Sequence, residues 1–166
     1  MATTKLKGNE VHTKGELPAT GSRAPDFALT SPTLEDVSLA SFAGKKKIIS
    51  TNPSLDTGVC AATARGFNQR VAGRADVVVL VVTADLPFAQ KRFCQAEGIE
   101  NVVTLSEMRD RSFGDAYGLT LSDGPLRGLL ARAVVVLDEN DRVLHTELVP
   151  EMTTEPDYDA ALAALG

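Results

Sequence analysis

The spacing of hydrophobic and polar positions changes character several times along this chain, and each change marks an element. Val77 to Val82 is an unbroken run of Val and Leu, as expected for a parallel strand covered on both faces. Lys47-Ile48-Ile49-Ser50-Thr51 and Val102-Val103-Thr104-Leu105 read as shorter strands. Ala61 to Gln69 is largely helix-compatible apart from Gly66. Pro87 to Glu97 reads as a helix, with Pro87 tolerated in its first turn and Gly98 at its C-terminal end. Arg111 to Tyr117 forms a short helix ending at Gly118. Ala133 to Leu137 and Val143 to Leu148 flank the polar turn Asp138-Glu139-Asn140-Asp141 and so make an antiparallel pair. Asp157 to Leu165 is an alanine-rich closing helix with Pro156 beside its start.

The N-terminal third is less regular. Residues 5–12 alternate around Gly8-Asn9 and suggest a small hairpin. Residues 13–25, with Gly15, Pro18, Gly21 and Pro25, form a surface connection. Asp26-Phe27-Ala28-Leu29-Thr30 is a short strand, and Ser38 to Gly44 a brief helical turn ending at glycine. Strands and helices alternate in the centre, followed by a strand pair and a last helix. That order makes an α/β fold with a mixed sheet covered by helices. It is also the order of a thioredoxin-like core, here with an N-terminal β-hairpin extension.

Residues 1–166 are read as a single domain, long enough to bury around 70% of the unfolded chain's surface. Hydrophobic residues make up 43% and charged residues 23%, an ordinary globular balance that argues against disorder. A formal net charge of -5 gives no reason to expect nucleic acid or an anionic membrane as partner. No apolar stretch approaches the 18 or so residues of a membrane span. The first residues, Met1-Ala2-Thr3-Thr4-Lys5-Leu6-Lys7, have no apolar core of a signal peptide. A cytoplasmic location is therefore expected, a reducing compartment where lasting structural disulfides are rare. Two cysteines there point to isolated thiols or catalysis.

Cys60 is one of those two cysteines, and it falls in the first turn of the helix that follows the Lys47–Thr51 strand. A helix start directs free N–H groups and the positive end of its dipole at what lies there. Such surroundings favour a thiolate, the nucleophilic form of cysteine. The bland alternative is a buried structural cysteine acting as a small hydrophobe. His12 and His145 are the only histidines, too isolated to infer a Cys–His pair. No zinc-like ligand spacing, phosphate loop or dinucleotide fingerprint appears.

Pro53-x-x-x-Thr57-x-x-Cys60 resembles the active-site signature of the peroxiredoxins. The longer string Pro53 to Cys60 resembles the bacterial thiol peroxidase subfamily, of the atypical two-cysteine type. So do Ala84 to Gln90, Arg92-Phe93-Cys94, Asp123 to Leu126, Ala131 to Val136 and Thr153 to Tyr158. The likeness covers essentially the whole chain. It implies a thiol-dependent peroxidase, needing no metal, haem or flavin, that reduces hydrogen peroxide and organic hydroperoxides. Cys60 would be the peroxidatic nucleophile, oxidised to a sulfenic acid. Cys94 would resolve it as an intramolecular disulfide, which thioredoxin or a similar dithiol protein would reduce. A homodimer is implied as well. A peroxide-responsive redox sensor using the same thiol is the competing reading.

The resemblance also assigns roles around Cys60. Thr57 would orient the peroxide, against the plainer possibility that it only caps the helix. Pro53, which fixes its own φ and lacks an N–H, would shield the sulfur from water. Arg132 would stabilise the thiolate and polarise the peroxide, with Arg127 as its competitor and a surface salt bridge as the plain alternative. Asn52 stands where many relatives carry phenylalanine, a change expected to alter packing without removing a catalytic group. Cys94, near the C-terminal end of its helix, should be the less acidic thiol. Joining two sulfurs needs Cα atoms within about 7 Å, so the Cys60 turn and the Cys94 helix end are expected to unwind locally. Asp56 should point at solvent or pair with a cation, since a carboxylate facing Cys60 would disfavour the thiolate.

Overall fold

The computed structural model describes all 166 residues. An N-terminal hairpin joins β1 (Thr3–Leu6) to β2 (Asn9–His12), with Leu6 opposite Asn9. Its turn is therefore Lys7-Gly8, one residue before the Gly8-Asn9 centre expected from the alternation. Both turn residues have positive φ, 51° and 82°, the geometry a two-residue hairpin loop requires.

The main sheet contains β3 (Leu29–Thr30), β4 (Asp36–Val37), β5 (Lys46–Thr51), β6 (Val77–Thr83), β7 (Val102–Ser106), β8 (Ala133–Leu137) and β9 (Val143–Leu148). Their order is β4-β3-β7-β6-β5-β8-β9. The β5, β6 and β7 strands run parallel, and β8 and β9 add an antiparallel pair at the β5 edge. The helices are α1 (Gly58–Arg70), α2 (Pro87–Glu97), α3 (Ser112–Ala116) and α4 (Tyr158–Leu165), with a 3-10 turn at Leu39–Phe42.

The expected Asp26–Thr30 strand is reduced to its last two residues. The Asp26 carboxylate accepts from its neighbour Phe27 N–H at 2.8 Å and from Leu39 N–H at 3.1 Å. That ties the preceding segment to the 3-10 turn instead of to a strand. The two-residue β4 was not expected from the pattern.

Neighbouring residues in the central strands serve opposite faces, as the pleat dictates. Ile48, Val79, Val81, Val134 and Val136 pack with Ala64 and Phe67 of α1 and Ala161 and Leu165 of α4. Ile49, Leu80, Val82 and Val135 pack on the other side with Phe27, Phe113 and Tyr117. Covering both faces explains why these strands read as continuous apolar runs.

Gly66 has a packing reason. A Cβ at that position would lie 2.5 Å from atoms of the Tyr158 ring. The same ring meets Phe67 edge-on at 4.9 Å and lies under the Arg70 guanidinium at 4.1 Å. The later half of α1 is thereby fastened to the start of α4.

Candidate active site

The β5 strand carries its pairing one residue past its end, where Asn52 N–H donates to Val82 O at 3.1 Å. Pro53 follows, buried and without an N–H, so the ladder stops there. The Asp85 carboxylate then gathers the loop. It accepts from Ser54 Oγ at 2.8 Å, Leu55 N–H at 2.8 Å and Thr83 Oγ1 at 2.9 Å. Asp85 lies in one of the blocks that carry the sequence resemblance, yet nothing in sequence alone showed that it holds this loop.

Thr57 is the N-cap residue of α1, but its hydroxyl makes no capping bond. It donates instead to Ser54 O at 3.0 Å. Its only proton is thereby committed, which leaves oxygen lone pairs as its remaining hydrogen-bonding capacity. Cys60 is the third residue of α1 and fully buried. Asp56 is exposed and makes no ion pair, as expected.

Arg132 precedes β8 and reaches the same place from the far end of the chain. It is 3% exposed, and it pairs with no carboxylate. Its Nη2 donates to Cys60 Sγ at 3.3 Å, its Nη1 to Asn52 Oδ1 at 2.7 Å, and its Nε to Met152 O at 2.9 Å. The surface-salt-bridge alternative is excluded, and so is the competitor, because Arg127 is exposed. A buried cation without a compensating charge costs several kcal/mol. Here the one contacting group able to supply a negative charge is the sulfur. Sequence reading missed the part played by Asn52, whose acceptor oxygen touches the cation directly.

Beside this cluster lies a cavity of about 570 Å³ lined by Pro53, Thr57, Val59, Arg132, Leu126 and Met152, among others. Leu6 and Val11 of the N-terminal hairpin contribute to its walls. Cys60 does not line it directly; its neighbours Gly58 and Val59 do. A mostly apolar chamber thus ends at a hydroxyl oxygen and a guanidinium.

Cys94 lies on α2, partly buried, and is a free thiol like Cys60. Burial pushes its thiol up, opposed by a hydrogen bond with the Thr104 hydroxyl. The direction is that of a weakly acidic thiol, but its cause is burial and not the helix end on which the expectation rests. It lines a different depression, shared with Pro32, Gln95 and Thr104. The structure therefore brings Pro53, Thr57, Cys60 and Arg132 together and keeps Cys94 apart.

A parallel-centred sheet with a cysteine in the first turn of the helix that follows an inner parallel strand, β5, defines a thiol-redox protein of the thioredoxin-like class. Comparisons with known proteins give the family. The Redoxin family model matches residues 19–162. Proteins named thiol peroxidase from Mycobacterium bovis and Mycobacterium tuberculosis are each 54% identical over 166 residues, covering 100% of this chain and 99% of theirs. A peroxiredoxin-like protein from Aquifex aeolicus superposes with a TM-score of 0.90 at 40% identity, over 98% of this chain and 95% of that one. A thiol peroxidase from Chromobacterium violaceum shares the fold, with a TM-score of 0.90 at 24% identity, over 97% and 93% of the two chains. The chain belongs to the redoxin family, within the bacterial thiol peroxidase branch of the peroxiredoxins. No helix is long and apolar enough to cross a membrane.

Proposed function

We propose that this protein is a thiol-dependent peroxidase that reduces hydrogen peroxide and organic hydroperoxides through Cys60. The observation that carries the proposal is the buried Arg132 guanidinium, donating to Cys60 Sγ at 3.3 Å without a carboxylate partner. A permanent cation fixed there compensates a thiolate and can donate to the peroxide oxygens as negative charge develops.

The thiolate attacks one peroxide oxygen, forming an S–O bond as the O–O bond breaks. The departing oxygen takes a proton and leaves as water or an alcohol, and the sulfur becomes a sulfenic acid. Thr57, with its proton held by Ser54 O, accepts a hydrogen bond from the peroxide O–H and so selects its orientation. The apolar cavity walls suit the carbon chain of an organic hydroperoxide. Pro53 keeps backbone donors and bulk water away from the sulfur.

Cys94 then attacks the sulfenic sulfur, expelling water and forming an intramolecular disulfide. A dithiol protein such as thioredoxin reduces it by exchange. We place this cycle in the cytoplasm, where dithiol systems keep thiols reduced. A homodimer fits the same reading, since Leu86 and Phe88 are 54% and 66% exposed and directly follow Asp85, which holds the active-site loop. Exposed apolar groups so placed suit a subunit contact.

A thioredoxin-coupled assay with hydrogen peroxide and an alkyl hydroperoxide tests the proposal. Turnover should disappear in Cys60→Ser. Cys94→Ser should still form one sulfenic acid per chain, seen by mass, and then stall or over-oxidise. Single oxidation without turnover in the unmodified protein would favour the sensor instead. Equal sulfenic acid yields in both variants would overturn the assignment of roles.

A further inference from the structure

On the reading that Cys60 and Arg132 meet the peroxide, we infer that Asn52 is a positioning residue that aims the Arg132 guanidinium at the Cys60 sulfur. Asn52 is fully buried and does not line the cavity. It therefore acts through Arg132 and not on substrate. Its Oδ1 accepts from Nη1 at 2.7 Å. Arginine can only donate, so the amide's oxygen must face it. The amide nitrogen makes only long contacts, at 3.4 Å to Ser50 O and 3.5 Å to Ser50 Oγ. The bond to arginine is thus the short, charge-assisted one.

The guanidinium is a rigid plane. Holding Nε on Met152 O and Nη1 on Asn52 Oδ1 fixes where Nη2 must lie, and it lies on the sulfur. Asn52 is the one side chain besides Cys60 that accepts a hydrogen bond from the cation. Its position is set by β5, which ends at the next residue back, so the arginine is indexed against the central sheet. The chemistry of the acceptor matters as much as its place. A neutral amide orients the cation and leaves its charge for the sulfur, whereas a carboxylate would neutralise it. Phenylalanine, the residue that the family resemblance puts at this position, could not accept the bond at all. This chain therefore aims its arginine by a contact of its own.

The test follows Cys60 alkylation by iodoacetamide against pH in the reduced full-length protein, with Cys94 separated by peptide mass. It is paired with the single-turnover rate with hydrogen peroxide. Asn52→Ala should slow the peroxide step about tenfold, the effect of losing one aligned charge-assisted bond, and move the alkylation midpoint to higher pH. Asn52→Asp keeps the size and should move the midpoint further, because the carboxylate offsets the cation. In an Arg132→Ala background, Asn52→Ala should add nothing, as expected when one residue acts only through another. Wild-type profiles in both variants, or an equal loss without Arg132, would overturn the assignment. Should Asn52→Ala melt early, the near-isosteric Asn52→Asp still decides. Alkylation needs no peroxide, so absence of turnover in the wild type would sink the peroxidase reading and leave this comparison legible.

Discussion

Arg132 shows how much one residue can say when its partners are counted. Arginine is almost never fully buried unless paired, and this one has two neutral acceptors and a sulfur. Thr57 gives the complementary half, an oxygen whose proton is already donated to Ser54 O. One group offers N–H and the other lone pairs, which matches an HO–O group that must accept on one atom and donate from the other. Replacing Thr57 by Val keeps shape and removes the oxygen. We expect kcat/KM for hydrogen peroxide to fall on the order of a hundredfold, as when one preorganised active-site hydrogen bond is deleted. Thr57→Ser should stay within a few-fold, since a hydroxyl can still bond Ser54 O and face the cavity. A loss in Ser with Val left near the wild type would mean that the methyl group, not the hydroxyl, is what the site needs.

At the scale of elements, α1 is fastened unevenly. Its later half is held by Phe67 and Arg70 on Tyr158, and by an Arg65–Glu97 ion pair at 3.1 Å. Asn68 Oδ1 also accepts from Glu100 N–H and Asn101 N–H at 3.1 and 2.7 Å. Those contacts tie α1 to the end of α2 and the loop beyond, one turn from Cys94. The first turn of α1 is hydrogen-bonded to another element only through Arg132 on Cys60; the Asp85 bonds hold the loop ahead of it, at Ser54 and Leu55, and the Tyr158 hydroxyl reaches Ala62 O just beyond it at 3.4 Å. A rearrangement that joins the two sulfurs should therefore fall on the first turn, while the end of α2 stays in place, a narrower outcome than unwinding at both. Hydrogen exchange on the Cys60–Cys94 disulfide form checks this. Amides 61–64, which bond back to the carbonyls of residues 57–60, should lose protection by at least about tenfold, with residues 66–70 and 97–101 unchanged. Loss spread evenly along α1 would mean that the helix opens as one unit.

Across the whole molecule, what could be read from the chain was what local chemistry dictates. The Val77–Val82 run, the Pro87 start and Gly98 stop of α2, and the Ala133–Leu148 strand pair each follow from backbone preferences. The Pro53–Cys60 loop was legible as a site because its residue types are unusual together. Contacts between distant segments were not legible: Asn52 with Arg132, Asp85 with the Pro53–Cys60 loop, and Gly66 under Tyr158. Burial of a single charge was not legible either, and Glu107 shows why, since no spacing in sequence marks a carboxylate as buried. It is 1% exposed, takes one bond from Arg111 at 3.2 Å, and leaves Oε2 without a partner. Burial pushes its carboxyl up to about 7, with Arg111 opposing. A folded value above the unfolded one means the neutral form is favoured in the native state. Its stabilising contribution is thus complete below about pH 4.5 and is lost as pH rises through about 7. Holding a proton that the unfolded chain has released costs about 1.4 kcal/mol for each pH unit crossed. Between pH 5 and pH 8 the wild type should therefore lose roughly 2 kcal/mol more unfolding free energy than Glu107→Gln. Urea unfolding of both proteins across that range measures the difference, and parallel curves would show that Glu107 stays charged in the fold.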